Sequence, residues 1–409
     1  MSSPKPIKKL VRKAKALHTN HRERHRSSGF GFALADSIDY LDAVRWDEVT
    51  HASSVYLSRQ YLRLLESSGP ENLRQRYALI FQGQTAVAVV SAQIVTINAA
   101  KVPKFDEAKK AVKAVTKPLE KLEEQMLVCG NLLSWGMHGV AFAENVNRTE
   151  IWPAVAEALY RLRRADRLFG NTDFVMLKDI PNECTEGIEA LQRFSYRKLE
   201  TELNMVLEIS PDWKSYDDYL ASLTSSYRKS ARKIAKEVEA GGGRVERLTT
   251  DEIVNHAATI YGLYAQVHER QKLRLITLSP KFIPALAVTF GDDFRCNVIR
   301  KNDQMLGFVT TLKDDNTAVG YYIGFDSVAN SEMPIYFRLL QTVIEDAIAM
   351  GCKRLSLGRT ALEPKARLGA KAEPMSVWMR HRIPAMNIVV RALLQTISHE
   401  EAPERSPFK

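Results

Sequence analysis

Cysteine is scarce and scattered: Cys129, Cys184, Cys296 and Cys352 are the only four in 409 residues, and no two stand at a CxxC spacing. That excludes a zinc knuckle and a disulfide framework and points to a reducing, cytoplasmic setting. No apolar run approaches the ~18 residues of a membrane span. The closest, Ala86 to Ala100, is interrupted by Ser91, Gln93, Thr96 and Asn98 and reads as a buried strand. Charge is also missing from most of the chain. Of the formal +10, residues 1–28 hold nine Lys/Arg against the single acid Glu23, so the remainder is nearly neutral. Global charge therefore does not mark a nucleic-acid enzyme. His18, His21 and His25 have no acidic or cysteine companions, and no metal site is expected.

The basic start, KPIKKLVRKAKALHTNHRERHRSS, lacks the apolar core of a secretory signal. Three readings stand for it: a solubilising arm, a contact with anionic membrane or nucleic acid, and an organellar transit peptide.

What is present is α/β patterning, and its order is most legible between Thr317 and Arg382. A strand (Ala318 to Phe325) meets a break at Ser327 to Pro334, then a helix (Ile335 to Met350), a second strand (Arg354 to Leu357) and a polar turn. A strand, helix, strand order forces a right-handed crossover. Ahead of it, Phe294 to Asp326 reads as three antiparallel strands joined at KNDQ and KDDNT, and Asp251 to Gln271 as one helix. The first half runs in the same order. YALIF and TAVAVVSAQIVTI form a hairpin about Gly83, CGNLLSWGMHGVAF carries Gly130, Gly136 and Gly139, a helix spans Trp152 to Arg163, and DFVMLKDI is a strand. Duplication of one fold is the economical explanation. The expected layout is a basic tail over 1–29, a first domain over 30–204 with a helical insertion near 101–125, a second over 205–397, and a short tail over 398–409. The apolar stretch Pro384 to Thr396 is expected to be a helix.

Three stretches, LTSSYRKSARKIAKEVEAGGGRVERLT, IYGLYAQVHERQKLRLITLSPKFIPAL and YYIGFDSVANSEMPIYFRLLQTVIEDAIAMGCKRLSLGRTALEPKARLGA, resemble the FemAB/CelD-like branch of the GNAT acyltransferase superfamily. The resemblance covers most of Phe30 to Arg382. It implies an α/β (α+β) fold of two tandem GNAT-like domains, each a mixed sheet flanked by helices. It also implies a donor that is an acyl thioester such as acetyl-CoA or an aminoacyl-tRNA, used as a substrate rather than a bound prosthetic group, and an amine acceptor on a small molecule or cell-envelope precursor. A GNAT phosphate loop is a Gly-rich turn whose N–H groups meet the CoA pyrophosphate. The corresponding segment here, SVANSEMP, has no glycine and carries Glu332. Gly136 and Gly139 are the alternative phosphate glycines, with tight turns as the plainer explanation.

Aminolysis needs a base for the amine and donors for the developing oxyanion. Tyr322 and Asp326 lie at and just after one strand end, and Arg359, Glu363, Lys365 and Arg367 follow the next. Both ends of a βαβ unit face one sheet edge, so these groups are expected to converge. Glu363 or Asp326 is expected as base, Arg359 or Lys365 as anion or oxyanion partner, and Tyr322 as proton donor. Against this stands a structural reading in which Arg359 and Glu363 pair on the surface and Asp326 caps a helix. His138 with Cys129, and His268, are read as packed side chains. Arg228 and Arg232, with Lys236 a further turn on and Lys229 and Lys233 beside them, make a basic helical stripe. It suits a donor's phosphates or a solvated face. Transferase and non-catalytic scaffold anchored by the basic tail both remain open.

Overall fold

The computed structural model describes residues 26–98, 123–271, 274–383, 386–387 and 403–409. Nearly all of the basic tail, of the expected insertion and of the expected helix at 384–396 lies outside them.

The first half builds β1 (Gly31–Ala35), α1 (Ala43–Thr50), α2 (Arg59–Ser68), β2 (Leu73–Gln82), β3 (Thr85–Asn98), β4 (Glu123–Cys129), β5 (Val140–Phe142), α3 (Arg148–Ala165), β6 (Thr172–Pro181) and β7 (Arg197–Glu200). The second builds β8 (Asn204–Glu208), α4 (Tyr216–Ser222), α5 (Ser225–Ala240), β9 (Gly243–Arg247), α6 (Thr250–Asn255), α7 (Ala257–His268), α8 (Phe282–Phe290), β10 (Phe294–Lys301), β11 (Gln304–Asp314), β12 (Thr317–Phe325), α9 (Ser327–Glu332), α10 (Ile335–Ala349), β13 (Arg354–Ser356), α11 (Leu362–Arg367), β14 (Lys371–Glu373) and β15 (Met375–His381).

Two sheets result. One runs β1-β2-β3-β4-β6-β15-β7 with β5 also on β3, and the other β14-β8-β13-β12-β11-β10-β9. Each has one parallel pair, β4 with β6 and β12 with β13, and each pair is joined through a helical crossover. The crossover helices follow from residue spacing. α3 buries Ile151, Trp152, Val155, Ala158, Leu159 and Leu162, and α10 buries Ile335, Leu339, Leu340, Val343, Ile344, Ala347 and Ile348. Both sets recur at three and four residues, which makes one apolar stripe to lay on a sheet. A third core is shared: Trp46, Tyr56, Tyr61 and Leu133 of the first half pack in one cluster with Phe282, Phe308 and Tyr321 of the second.

Three expectations are corrected. β15 was placed with the second unit, but it pairs with β6 and β7 of the first sheet, so the chain returns across the border expected near residue 204. An apolar alternation fixes a strand, but not which sheet receives it. The helix expected over Asp251 to Gln271 is two helices that break at His256, which leaves helical geometry at φ −99° and ψ 14°. The break at Ser327 to Pro334 is mostly helical, because the Asp326 carboxylate accepts from the Ala329 N–H and starts α9.

Candidate active site

β12 and β13 are hydrogen-bonded only over Thr317 to Val319 against Arg354 to Ser356. Beyond this the strands part. β13 continues along β8, with the Leu357 N–H donating to Met205 O and the Met205 N–H to Gly358 O. β12 stays on β11, and among the described residues no strand pairs its other edge after Val319. A bulge lies in this stretch: Val309 faces Ile323 and Thr311 faces Gly320, so Thr310 alone opposes Tyr321 and Tyr322. The Thr310 hydroxyl accepts from the Tyr322 N–H and donates to the Tyr322 carbonyl. The bulge cancels the strand's alternation and brings the two tyrosine rings within 4.4 Å of each other.

The loop after β4 fills the gap. Trp135 Nε1 donates to Ser356 Oγ at 2.7 Å, and its ring sits 3.1 Å from where a Cβ on Gly358 would stand. Tyr322 Oη donates to Leu133 O at 3.0 Å, and Tyr321 Oη shares a hydrogen bond with Tyr61 Oη. Behind Trp135 lies a buried charged group that sequence reasoning missed. Asp179 is fully buried and binds both Lys178 and Arg359. Its burial opposes ionisation, but the two cations win and hold the carboxyl below its ordinary range. Burial, only partly offset by Asp179, pushes Lys178 down to about 8. The signal for this group was the Lys-Asp pair closing the apolar run DFVML.

The residues named from sequence separate. Arg359 turns inward to Asp179 rather than pairing with Glu363. Glu363 is bound by Arg367 and Arg405 at 2.9 Å each, and their hydrogen bonds lower its proton affinity, so it is a poor base. Asp326 caps α9 and lies seven residues along the chain from the last rung shared with β13, at the far end of β12. Gly136 donates its N–H to the Asp179 carboxylate, and Gly139 is pressed on the Cys129–Gly130 peptide, where a Cβ would come within 2.4 Å of a backbone nitrogen. The Gly136 N–H is thus committed, and Gly139 is required by packing. Arg228 reaches the carbonyls of Ala221 and Leu223, whereas Lys229, Arg232, Lys233 and Lys236 lie exposed on α5. His138 is packed against Tyr56 and bonded to Ser134.

Lys365 stands apart. It is 3 % exposed, on α11 just past the end of β13, and its ammonium has no hydrogen-bond or ion-pair partner among the described residues. Burial alone pushes it down to about 7. An amine so placed is about half uncharged at neutrality and in that form can accept a proton.

The pyrophosphate of an acyl-CoA does not fit the segment at the start of α10. The Ser327, Ala329, Asn330, Met333, Ile335 and Tyr336 N–H groups all donate to acceptors within the chain, and Glu332 adds negative charge. No group of three or more metal-ligating side chains occurs among the described residues.

Comparison with known proteins agrees with this architecture. A family model described as an acetyltransferase (GNAT) domain matches residues 225–366. No curated protein matches the chain. The crystal structure of FemX superposes at a TM-score of 0.54 with 10% identity, covering 88% of this chain and 100% of that one. The C-terminal domain of a putative lysylphosphatidylglycerol synthetase from Agrobacterium fabrum gives 0.49 with 10% identity over 87% of this chain and 95% of that one. A tandem GNAT protein from the clavulanic acid biosynthesis pathway gives 0.49 with 9% identity over 87% and 99%. Residues 225–366 thus match an acetyltransferase (GNAT) domain, and the fold of the chain as a whole is similar to that of FemX.

Proposed function

We propose that this chain transfers an acyl or aminoacyl group to an amine at the opening between β12 and β13. The observation that carries this reading is Lys365, a buried lysine with no hydrogen-bond or ion-pair partner among the described residues, on the helix that follows β13. The amine nitrogen attacks the donor carbonyl, a C–N bond forms, and the C–S or C–O bond to the carrier breaks. The proton lost by the amine passes to Lys365, and the leaving thiolate or alkoxide is protonated in turn. Arg359 positions the loop after β13 through Asp179, while the Tyr322 hydroxyl, whose one proton goes to Leu133 O, holds the loop after β4 against the bulge.

The satisfied N–H groups ahead of α10 favour an ester-linked aminoacyl donor over coenzyme A, because an aminoacyl-tRNA needs no pyrophosphate cradle. The exposed cations of α5 can neutralise its phosphates. The test has two arms. Melting is followed with CoA and acetyl-CoA at about 1 mM, where a ligand at ~100 times its dissociation constant adds about 2.7 kcal/mol. Transfer of labelled amino acids from a charged tRNA pool to small amines is followed with the native chain and with Lys365→Ala. Transfer that Lys365→Ala abolishes, without a CoA shift, supports the reading. A saturable CoA shift reverses the donor assignment.

One observation favours a second reading, a non-catalytic binding module: the Trp135 ring occupies the space between the parted strands. Absence of transfer from every donor, in both the native chain and Trp135→Ala, would establish that reading instead.

A further inference from the structure

At the opposite end of β6 from Asp179, the surface has a different character. The turn between α3 and β6 carries Leu168, 94% exposed, and Phe169, 67% exposed. Ile383, 46% exposed, is their neighbour across the sheet, because the Arg382 N–H donates to Asp173 O and so sets Ile383 level with the first residue of β6. Three large apolar side chains at one sheet edge gain nothing from water. The Arg74 guanidinium lies 5.4 Å from the Phe169 ring centre.

The surrounding charge is mainly positive. Arg164, in the last turn of α3, and Arg167, on the connecting turn, are exposed. Arg163, Arg380 and Arg382 stand close enough that, after burial, the charges of the latter two lower the proton affinity of Arg163. Asp173 pairs with Arg382, and Asp166 is buried beneath Arg74 and Arg76. Glu123 and Glu124 open β4 beside the start of β6, so the edge carries both signs with arginines in the majority.

We infer that this edge is a docking surface for an anionic lipid bilayer, with Leu168, Phe169 and Ile383 entering the headgroup boundary and the arginines meeting acidic headgroups. Protruding aliphatic side chains ringed by cations match such an interface. They match a nucleic acid less well, since Leu168 offers its phosphates nothing. The inference stands independently of the transfer reaction and of the basic tail.

The test is flotation of the full chain with vesicles of phosphatidylcholine alone and of phosphatidylcholine containing about a third phosphatidylglycerol. The native chain is expected to float only with the anionic vesicles. Leu168→Glu with Phe169→Glu is expected to lower partitioning about tenfold or more with an unchanged melting temperature. Arg164→Gln with Arg167→Gln is expected to weaken binding and its salt dependence together. Failure of the native chain to float overturns the inference. So does undiminished flotation of the double glutamate variant, which would assign lipid binding to another part of the chain, and so does loss of flotation with competing RNA under conditions where the apolar substitutions have no effect.

Discussion

Asp179 and Gly358 occupy the same place in the two halves of the molecule. In the first sheet the parallel rungs end at Cys129 with Leu177, and in the second at Val319 with Ser356. Two residues on, Asp179 and Gly358 both have left-handed backbone, with φ of 57° and 77°. One residue past the last rung on the partner strand stand Gly130 and Gly320. The duplication thus persists in backbone geometry where sequence identity does not show it. Glycine adopts this conformation without a steric penalty, whereas aspartate is strained there by about 1 kcal/mol or more.

What holds Asp179 in that conformation is its pair of buried cations, so Asp179→Asn tests the link between the halves. Neutralising the carboxylate leaves Lys178 and Arg359 without their counter-charge. Unfolding free energy is expected to fall by about 3–5 kcal/mol, the range for breaking a buried ion pair. Urea denaturation measures it. A loss below about 1 kcal/mol would show that the halves are held by the shared apolar core alone.

Lys365→Met separates activity from stability. A buried amine without a counter-charge destabilises the fold, so the isosteric apolar replacement is expected to raise unfolding free energy at pH 7 by about 1 kcal/mol or more. The sign with pH follows. The folded-state value is near 7, and the unfolded one is about 10.4. Between these values the unfolded chain holds more protons, and native stability rises with pH. The variant should lack that rise from pH 7 to 9, and it should be inactive in transfer. A destabilised Lys365→Met would mean the ammonium has a favourable partner.

Much of this architecture was legible from residue spacing, and the limits have physical causes. The Gly83 hairpin and the amphipathic helices at 148–165 and 335–349 show their periods directly. The destination of β15 does not, since the alternation in Met375–His381 suits either sheet. The charged group around Asp179 joins residues from opposite halves, and its partner in sequence reasoning, Glu363, is equally charged and much nearer to Arg359 along the chain. Only burial tells them apart. Lys365 was legible as a cation after the second strand. Its value as a base comes from its 3 % exposure, which no local pattern encodes. The Tyr321–Tyr322 bulge was hidden for a related reason: two adjacent tyrosines in a strand ordinarily face opposite ways.

Gly139→Ala distinguishes a packing glycine from a ligand-binding one. A Cβ at this position would meet the Gly130 nitrogen at 2.4 Å and the Cys129 carbonyl carbon at 2.5 Å, both backbone atoms that cannot turn aside. Soluble yield and melting temperature should collapse, an effect of about 3 kcal/mol or more. If Gly139 instead served a phosphate, the variant would fold normally and show only a raised donor KM.

His138 supplies the acid sensitivity of the junction. It stacks on Tyr56 at 4.3 Å and shares a 2.7 Å hydrogen bond with Ser134. Burial first, then the charge of Lys178, lowers it to about 3. An unfolded imidazole titrates near 6.5. Between pH 6.5 and 3 the unfolded chain therefore binds a proton that the native chain excludes, and stability falls as pH falls through that window. At pH 5 the loss from this one group is about 2 kcal/mol, and above pH 7 it vanishes. His138→Gln has no such proton to bind. It is expected to be less stable than the native chain at pH 7.5, where it loses the ring contact with Tyr56, yet to have a flatter dependence of unfolding free energy on pH between 6.5 and 5. Equal slopes for the two proteins would place the acid sensitivity in other groups, with His268 and His381, both also lowered by burial, next to be substituted.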